Sequence, residues 1–364
     1  MLPFDLARLH EHSSMTVSTL RPPPTDATPI FELFRGNYAT ELLAAAVGHL
    51  GIFAQFAKET MTLAELRARL GLAERPAIVL CTALRAMGLL VVDSQNRLGL
   101  SELASHHLVP GGPFDVGGYV ALMSDNPGVR EMVERLRTNR PAGGKPDEAG
   151  AAFIYREGLD SAMEKEASAR RLTLALAGRA RNTAAILAER VDASGARQLL
   201  DVGGGTGLYS VGFLQRHPKL RAIVWDRPEV LKVAAELAAE YGVAERLECR
   251  SGDMFTDPAP ADSDLVLLSN VLHDWDVPEC KTLLRRCSLA LQKGGRLLIH
   301  DAFLNDALDG PLAVALYSAA LFSLTEGRAY SAAEYRDWLS ECGLVAGDVV
   351  PTAIHCGVLA AIKT

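Results

Sequence analysis

The sequence is short of the features that would tie it to a membrane, to nucleic acid or to an oxidising compartment. No apolar run approaches the roughly 20 residues needed to cross a bilayer. The opening stretch MLPFDLARLHEHSSM carries Asp5 and Glu11 where a secretory leader needs an unbroken apolar segment. Positive charge is not in excess: 37 Lys and Arg against 44 Asp and Glu give a net charge of -7. Clustered cations draw proteins onto phosphate backbones and anionic lipid, so neither a nucleic acid nor a membrane is an expected partner. The six cysteines (Cys81, Cys249, Cys280, Cys287, Cys342 and Cys356) include no CxxC pair, which argues against a disulfide frame or a zinc site and for reduced thiols in the cytoplasm. The expected metal content is none.

What is present is enough chain for two cores, 364 residues of which 49% are hydrophobic. Residues 1–27 end in RPPPTDATP, where three consecutive prolines exclude helix and imply a flexible, extended arm. Residues 28–191 follow a mainly helical pattern. Within it, MTLAELRARLG pairs Thr62 with Glu65 in a capping box and closes on Gly71. The helix RPAIVLCTALRAMG and two short strands, LLVVD and RLGL, come next, an order that is winged-helix-like. Such a unit can bind DNA, but its second helix offers only Arg75 and Arg85 as cations and few polar groups for base edges. A structural or dimerising role is expected instead. Residues 192–364 alternate strand and helix from RQLLDVG to GRLLIHDAFL, implying an α/β, doubly wound, mostly parallel sheet. The closing segments DVVPTAI and GVLAAIKT read as a hairpin, hence an antiparallel C-terminal strand.

The turn DVGGGTG follows the first strand of that sheet, at the strand ends where open parallel sheets bind ligands. Gly203, Gly205 and Gly207 make GxGxG, but Leu208 breaks the GxGxxG expected for dinucleotides. Asp226 closes the second strand in VWD, where a carboxylate can accept ribose hydroxyls of either a nicotinamide or an adenosyl cofactor. Asp253 in SGDMF can accept from an adenine amino group, with Met254 and Phe255 flanking the ring. Asp201, just before the turn, would oppose a pyrophosphate and suit an ammonium group. Three acids around one glycine turn imply a cofactor without phosphates.

Together, LLDVGGGTG, VWD, SGDMF, NVLHDWD and GGRLLIHDAFL resemble, in order and spacing, the class I S-adenosylmethionine-dependent methyltransferases, and more narrowly the caffeic acid O-methyltransferase-like family with its bacterial small-molecule members. The similarity spans residues 30–364. It implies S-adenosyl-L-methionine as cofactor, a small-molecule acceptor, most naturally a phenolic or enolic hydroxyl, and a homodimer built through the N-terminal region. It extends the cofactor set to Arg227 and Ser269. The family's catalytic histidine maps onto His273, and the acid that orients it onto Asp301. An imidazole just beyond a strand end, with an ordinary pKa near 6.5, independently suits a base at neutral pH, whereas His300 should face the other side of its strand and be structural. Many members carry a second glutamate where this chain has Ala329; Glu326, three residues earlier, is the candidate substitute. Tyr119, Met123, Trp275 and Phe322 are the expected acceptor walls.

Other readings keep the fold but change the chemistry: S- or C-methylation, or decarboxylation, hydroxylation or pericyclic reaction on the same cofactor. A nicotinamide oxidoreductase and a ligand-sensing DNA regulator are more distant alternatives.

Overall fold

The computed structural model describes residues 17–140 and 166–364. Within the N-terminal part, the Thr62 hydroxyl accepts from Glu65 N at 3.2 Å and Thr62 N donates back to the Glu65 carboxylate at 2.8 Å, starting helix Leu63–Leu70. Gly71 ends it with φ +66°, a left-handed conformation that favours glycine. Helix Glu74–Ala86 follows, then β1 (Leu90–Val92) and β2 (Leu98–Leu100), paired antiparallel. Leu42, Phe53, Leu66, Leu80, Leu84 and Met132 fill the core of this part, and Ala319 and Phe322 enter it from helix Leu312–Leu324 much later in the chain. Residues 17–20 of the expected arm are extended but docked: Ser18 N donates to Glu240 O, and Leu20 N donates to the Gln215 side chain. Residues 1–16 lie outside the described residues.

The large sheet contains β3 (Gln198–Val202), β4 (Arg221–Asp226), β5 (Leu247–Ser251), β6 (Ser263–Ser269), β7 (Leu291–Leu304), β9 (Leu344–Pro351) and β10 (Cys356–Lys363) in the order β5-β4-β3-β6-β7-β10-β9. Strands β3 to β7 pair parallel, and β10 lies antiparallel between β7 and β9, as the closing hairpin requires. A two-residue strand, β8 (Tyr330–Ser331), pairs with the end of β7; two residues are too few to leave a periodic signal. Helix Glu166–Arg190 packs on the sheet side, burying Ala177, Ala184 and Leu187 with Leu199 and Leu208. The strand order turns back between β3 and β6, opening a crevice at their C-terminal ends. The glycine turn leaves β3 there, and the His273 turn leaves β6 there.

Among the described residues no helix is long and apolar enough to cross a membrane. The two cations of the would-be recognition helix face inward. Arg75 is buried and donates to the Thr325 and Gly327 carbonyls, while Arg85 donates to those of Ala307 and Leu308. Both hold the helical part onto the sheet part, so neither is presented to a duplex.

Candidate active site

Gly203, Gly205 and Gly207 all have positive φ, between 58° and 68°, so the turn after β3 can fold back on itself without Cβ strain. Gly205 N donates to Asp226 Oδ2 at 2.8 Å, and Arg227 N donates to Oδ1 at 2.7 Å. The β4 acid is thereby fixed beside the turn, with lone pairs remaining for a ligand. Asp201 is fully buried beneath it. Its Oδ2 accepts from the Ser210 hydroxyl at 2.7 Å, and its Oδ1 has no partner. Burial pushes this carboxyl up to about 7, with Ser210 partly offsetting the shift. Asp253 Oδ1 accepts from Phe255 N and Thr256 N, capping the turn after β5, and Met254 Sδ lies 3.8 Å from where a Cβ on Gly203 would sit. Ser269, at the end of β6, bonds to His300 Nδ1 at 2.8 Å.

His273 occupies a single helical turn beyond β6, buried, with Nδ1 2.5 Å from Asp301 Oδ1. A carboxylate at Nδ1 holds the proton there and leaves the lone pair on Nε2, which is the atom available as a base. Asp301 is fixed in turn by Ala302 N at 2.7 Å. Burial alone would lower the histidine's proton affinity, but Asp301 and then Asp274, whose carboxylate lies 3.6 Å from Nε2, outweigh it and hold the pKa above its ordinary value. Burial also pushes Asp274 up to about 7.

Three groups at this site escape the motif pattern. The Tyr317 hydroxyl lies 3.4 Å from His273 Nε2, and Arg179 Nη1 donates to it at 3.0 Å. Arg35 lies over the Tyr317 ring, 3.8 Å from its centre. Tyr317 stands in a helix that is apolar all round, and a buried phenol needs a partner; that is the one signal the sequence offers for it. Glu326 N donates to the Asp274 carbonyl at 3.1 Å, and its carboxylate acts electrostatically on Arg75. Gly327 crosses directly over the histidine turn, where a Cβ would come within 2.1 Å of His273 O. Ala329 is fully buried. Of the expected acceptor walls, Trp275 packs its ring against Phe255 at 4.6 Å and Phe322 sits in the helical core under Arg75. Tyr119 and Met123 are exposed, on the helical turns between Gly117 and Met123.

Comparison with known proteins turns this geometry into a family assignment. The model of the O-methyltransferase domain matches residues 154–345. The chain belongs to the O-methyltransferase family. It is 37% identical over 325 residues to 3-hydroxy-5-methyl-1-naphthoate 3-O-methyltransferase of Streptomyces sahachiroi, covering 88% of this chain and 91% of that protein. It is 30% identical to acetylserotonin O-methyltransferase of Bos taurus, covering 86% and 90%. A crystal structure of an O-methyltransferase family 2 protein from Planctomyces limnophilus DSM 3776, complexed with apigenin, superposes with a TM-score of 0.85 at 48% identity, covering 95% of this chain and 98% of that one.

Enzymes of this family take their methyl group from S-adenosylmethionine, and the cradle fits that molecule. The unpartnered, buried Oδ1 of Asp201 is an acceptor suited to an ammonium group, whose positive charge would return the carboxyl to its ionised form. The carboxylates of Asp201 and Asp226 against the turn would oppose a pyrophosphate.

Proposed function

We propose that this methyltransferase acts on a phenolic or enolic hydroxyl of a small molecule, with His273 as general base. The observation that carries the reading is the 2.5 Å contact from Asp301 to His273 Nδ1, which leaves Nε2 as the proton acceptor at the crevice between β3 and β6. Two relatives named for transfer to a ring hydroxyl of a hydroxynaphthoate and to acetylserotonin support an oxygen acceptor. When bound, S-adenosylmethionine supplies an electrophilic methyl group. The chain's own residues do the rest. Asp201, Gly203, Gly205, Gly207, Asp226 and Asp253, with Arg227, Met254, Phe255 and Ser269 beside them, hold the cofactor. His273 Nε2 takes the hydroxyl proton, and Asp301 stabilises the imidazolium as it forms. Moving a proton from a phenol of pKa about 10 to an imidazole near 6.5 is uphill by about 5 kcal/mol. The raised proton affinity of His273 narrows that gap, and alignment of the two reactants supplies much of the acceleration.

The same reading assigns residues 28–191 to a winged-helix-like dimerisation and lid unit and 192–364 to the catalytic unit. Ile30, Leu33 and Phe34 on helix Thr28–Arg35, and Tyr119 and Leu122, expose more apolar surface than a monomer needs, which supports a homodimer through this part. Six free cysteines fit the reducing cytoplasm.

Labelled-methyl transfer to a panel of phenols and enols tests the assignment, with His273→Ala beside the wild type. Transfer is expected to at least one hydroxyl acceptor, reduced by about 10²- to 10⁴-fold in the variant. Undiminished transfer by His273→Ala would remove the histidine from the chemistry.

A further inference from the structure

We propose that the acceptor carries a carboxylate, bound by the buried Arg35 and the half-buried Arg179 beside the base; this rests on the hydroxyl-methylation reading above. Arg35, at the end of helix Thr28–Arg35, and Arg179, on helix Glu166–Arg190, approach one phenol ring, with their guanidinium carbons 3.8 and 5.2 Å from the centre of Tyr317. Arg35 is only 7% exposed, and its contacts among the described residues are with the rings of Phe31 and Tyr317. Arg179 donates to the Tyr317 hydroxyl and to Cys356 Sγ, both neutral partners, and its Nε is buried with no partner. Among the described residues no carboxylate forms an ion pair with either.

Two guanidinium groups brought to one ring repel each other and are partly stripped of water, which an aromatic face compensates less well than an anion does. The nearby acids do not supply that anion. Asp301 acts on Arg179 through space but is committed to His273 and Ala302 N. Asp274 faces His273 Nε2 at 3.6 Å and forms no ion pair with either arginine. Proton transfer to His273 adds a further positive charge. A carboxylate on the acceptor balances this neighbourhood, and its planar pair of oxygens matches the guanidinium fork. Position follows from the same contacts. Arg179 Nη1 is 3.0 Å from the Tyr317 hydroxyl, which is 3.4 Å from His273 Nε2. These two contacts put Arg179 Nη1 within the span of a single hydroxyaryl acid from Nε2.

The test uses the full chain with S-adenosylhomocysteine present. Calorimetry compares 3-hydroxybenzoate and 3-hydroxy-2-naphthoate with their methyl esters, which keep the hydroxyl and lose the charge. At least one acid is expected to bind about tenfold or more tighter than its ester, with the ratio falling toward one in Arg35→Met and Arg179→Met. Equal binding of acids and esters, no binding of either acid, or an unchanged ratio in both variants overturns the carboxylate subsite. Arg35→Met removes an unpaired buried charge, so its Tm without ligand should match or exceed the wild type. A variant that fails to fold shows that the guanidinium is kept for structure, and overturns the proposal. Methyl transfer to neutral phenols with no preference for acids sinks the subsite alone. Acid binding with no transfer to any hydroxyl supports the subsite and sinks the hydroxyl-methylation reading.

Discussion

The two faces of β7 carry two buried histidine environments with opposite proton affinity. His300 points to one face, bonded to the Ser269 hydroxyl at 2.8 Å and the Thr352 hydroxyl at 3.0 Å. With neutral partners only, burial pushes it down to about 3, and Arg179 adds to that. On the other face Asp301, the next residue, reaches His273. There burial acts in the same direction, but two carboxylates outweigh it. Burial is therefore not what makes a base. Strand alternation puts neighbours on opposite faces, so one strand supports a locked neutral imidazole on one side and a proton-hungry one on the other.

The widest separation between the two should appear in turnover. His273→Ala is expected to lose about 10³-fold in kcat/KM, whereas His300→Gln, whose amide can bond to both Ser269 and Thr352, should stay within about threefold. Comparable losses in assays of methyl transfer would break the contrast. Next comes Asp301→Asn, with a drop of about 10²-fold in kcat. Because the carboxylate raises the proton affinity of His273, the acidic limb of the kcat/KM profile should also move to lower pH; an unmoved limb would show that Asp301 does not set it. The smallest effect is on stability, and its sign differs between the sites. The raised affinity of His273 contributes stability that is fully present below about pH 6.5 and lost as pH rises through the folded value. His300 binds its proton more readily when unfolded, so stability falls as pH drops from about 6.5 toward 3. Tm measured from pH 5 to 8 should flatten on the acid side in His300→Gln, by on the order of 1 kcal/mol at pH 5. An unaltered acid slope would contradict the neutral assignment.

Much of this site is legible in the sequence because its residues are pinned to strand ends. The Gly203 to Gly207 turn, Asp226 and His273 each follow or close a strand, so a reading of alternation places them at one edge of the sheet, whereas Asp301 lies within β7 and is assigned through the family resemblance. Tyr317, Arg179 and Arg35 come from three helices distant in the chain, and no local spacing joins them. Asp274 stands inside the quoted NVLHDWD, but its place beside Nε2 depends on the tight turn beyond β6. Arg75 and Arg85 read as the few cations of a DNA-facing helix; only the packing of that helix reveals that they face the other half of the molecule. The helical part is legible where a cap speaks locally, at Thr62, and not where helix Leu312–Leu324 lends Phe322 to its core.

Arg75 has a mechanical consequence. It grips the carbonyls of Thr325 and Gly327 from the opposite layer, and Gly327 lies on the carbonyl of His273. Any movement that parts the layers to admit or discharge a molecule has to pull on the backbone beneath the base. Arg75 thus ties the packing of the helical layer to the backbone against which the histidine turn rests.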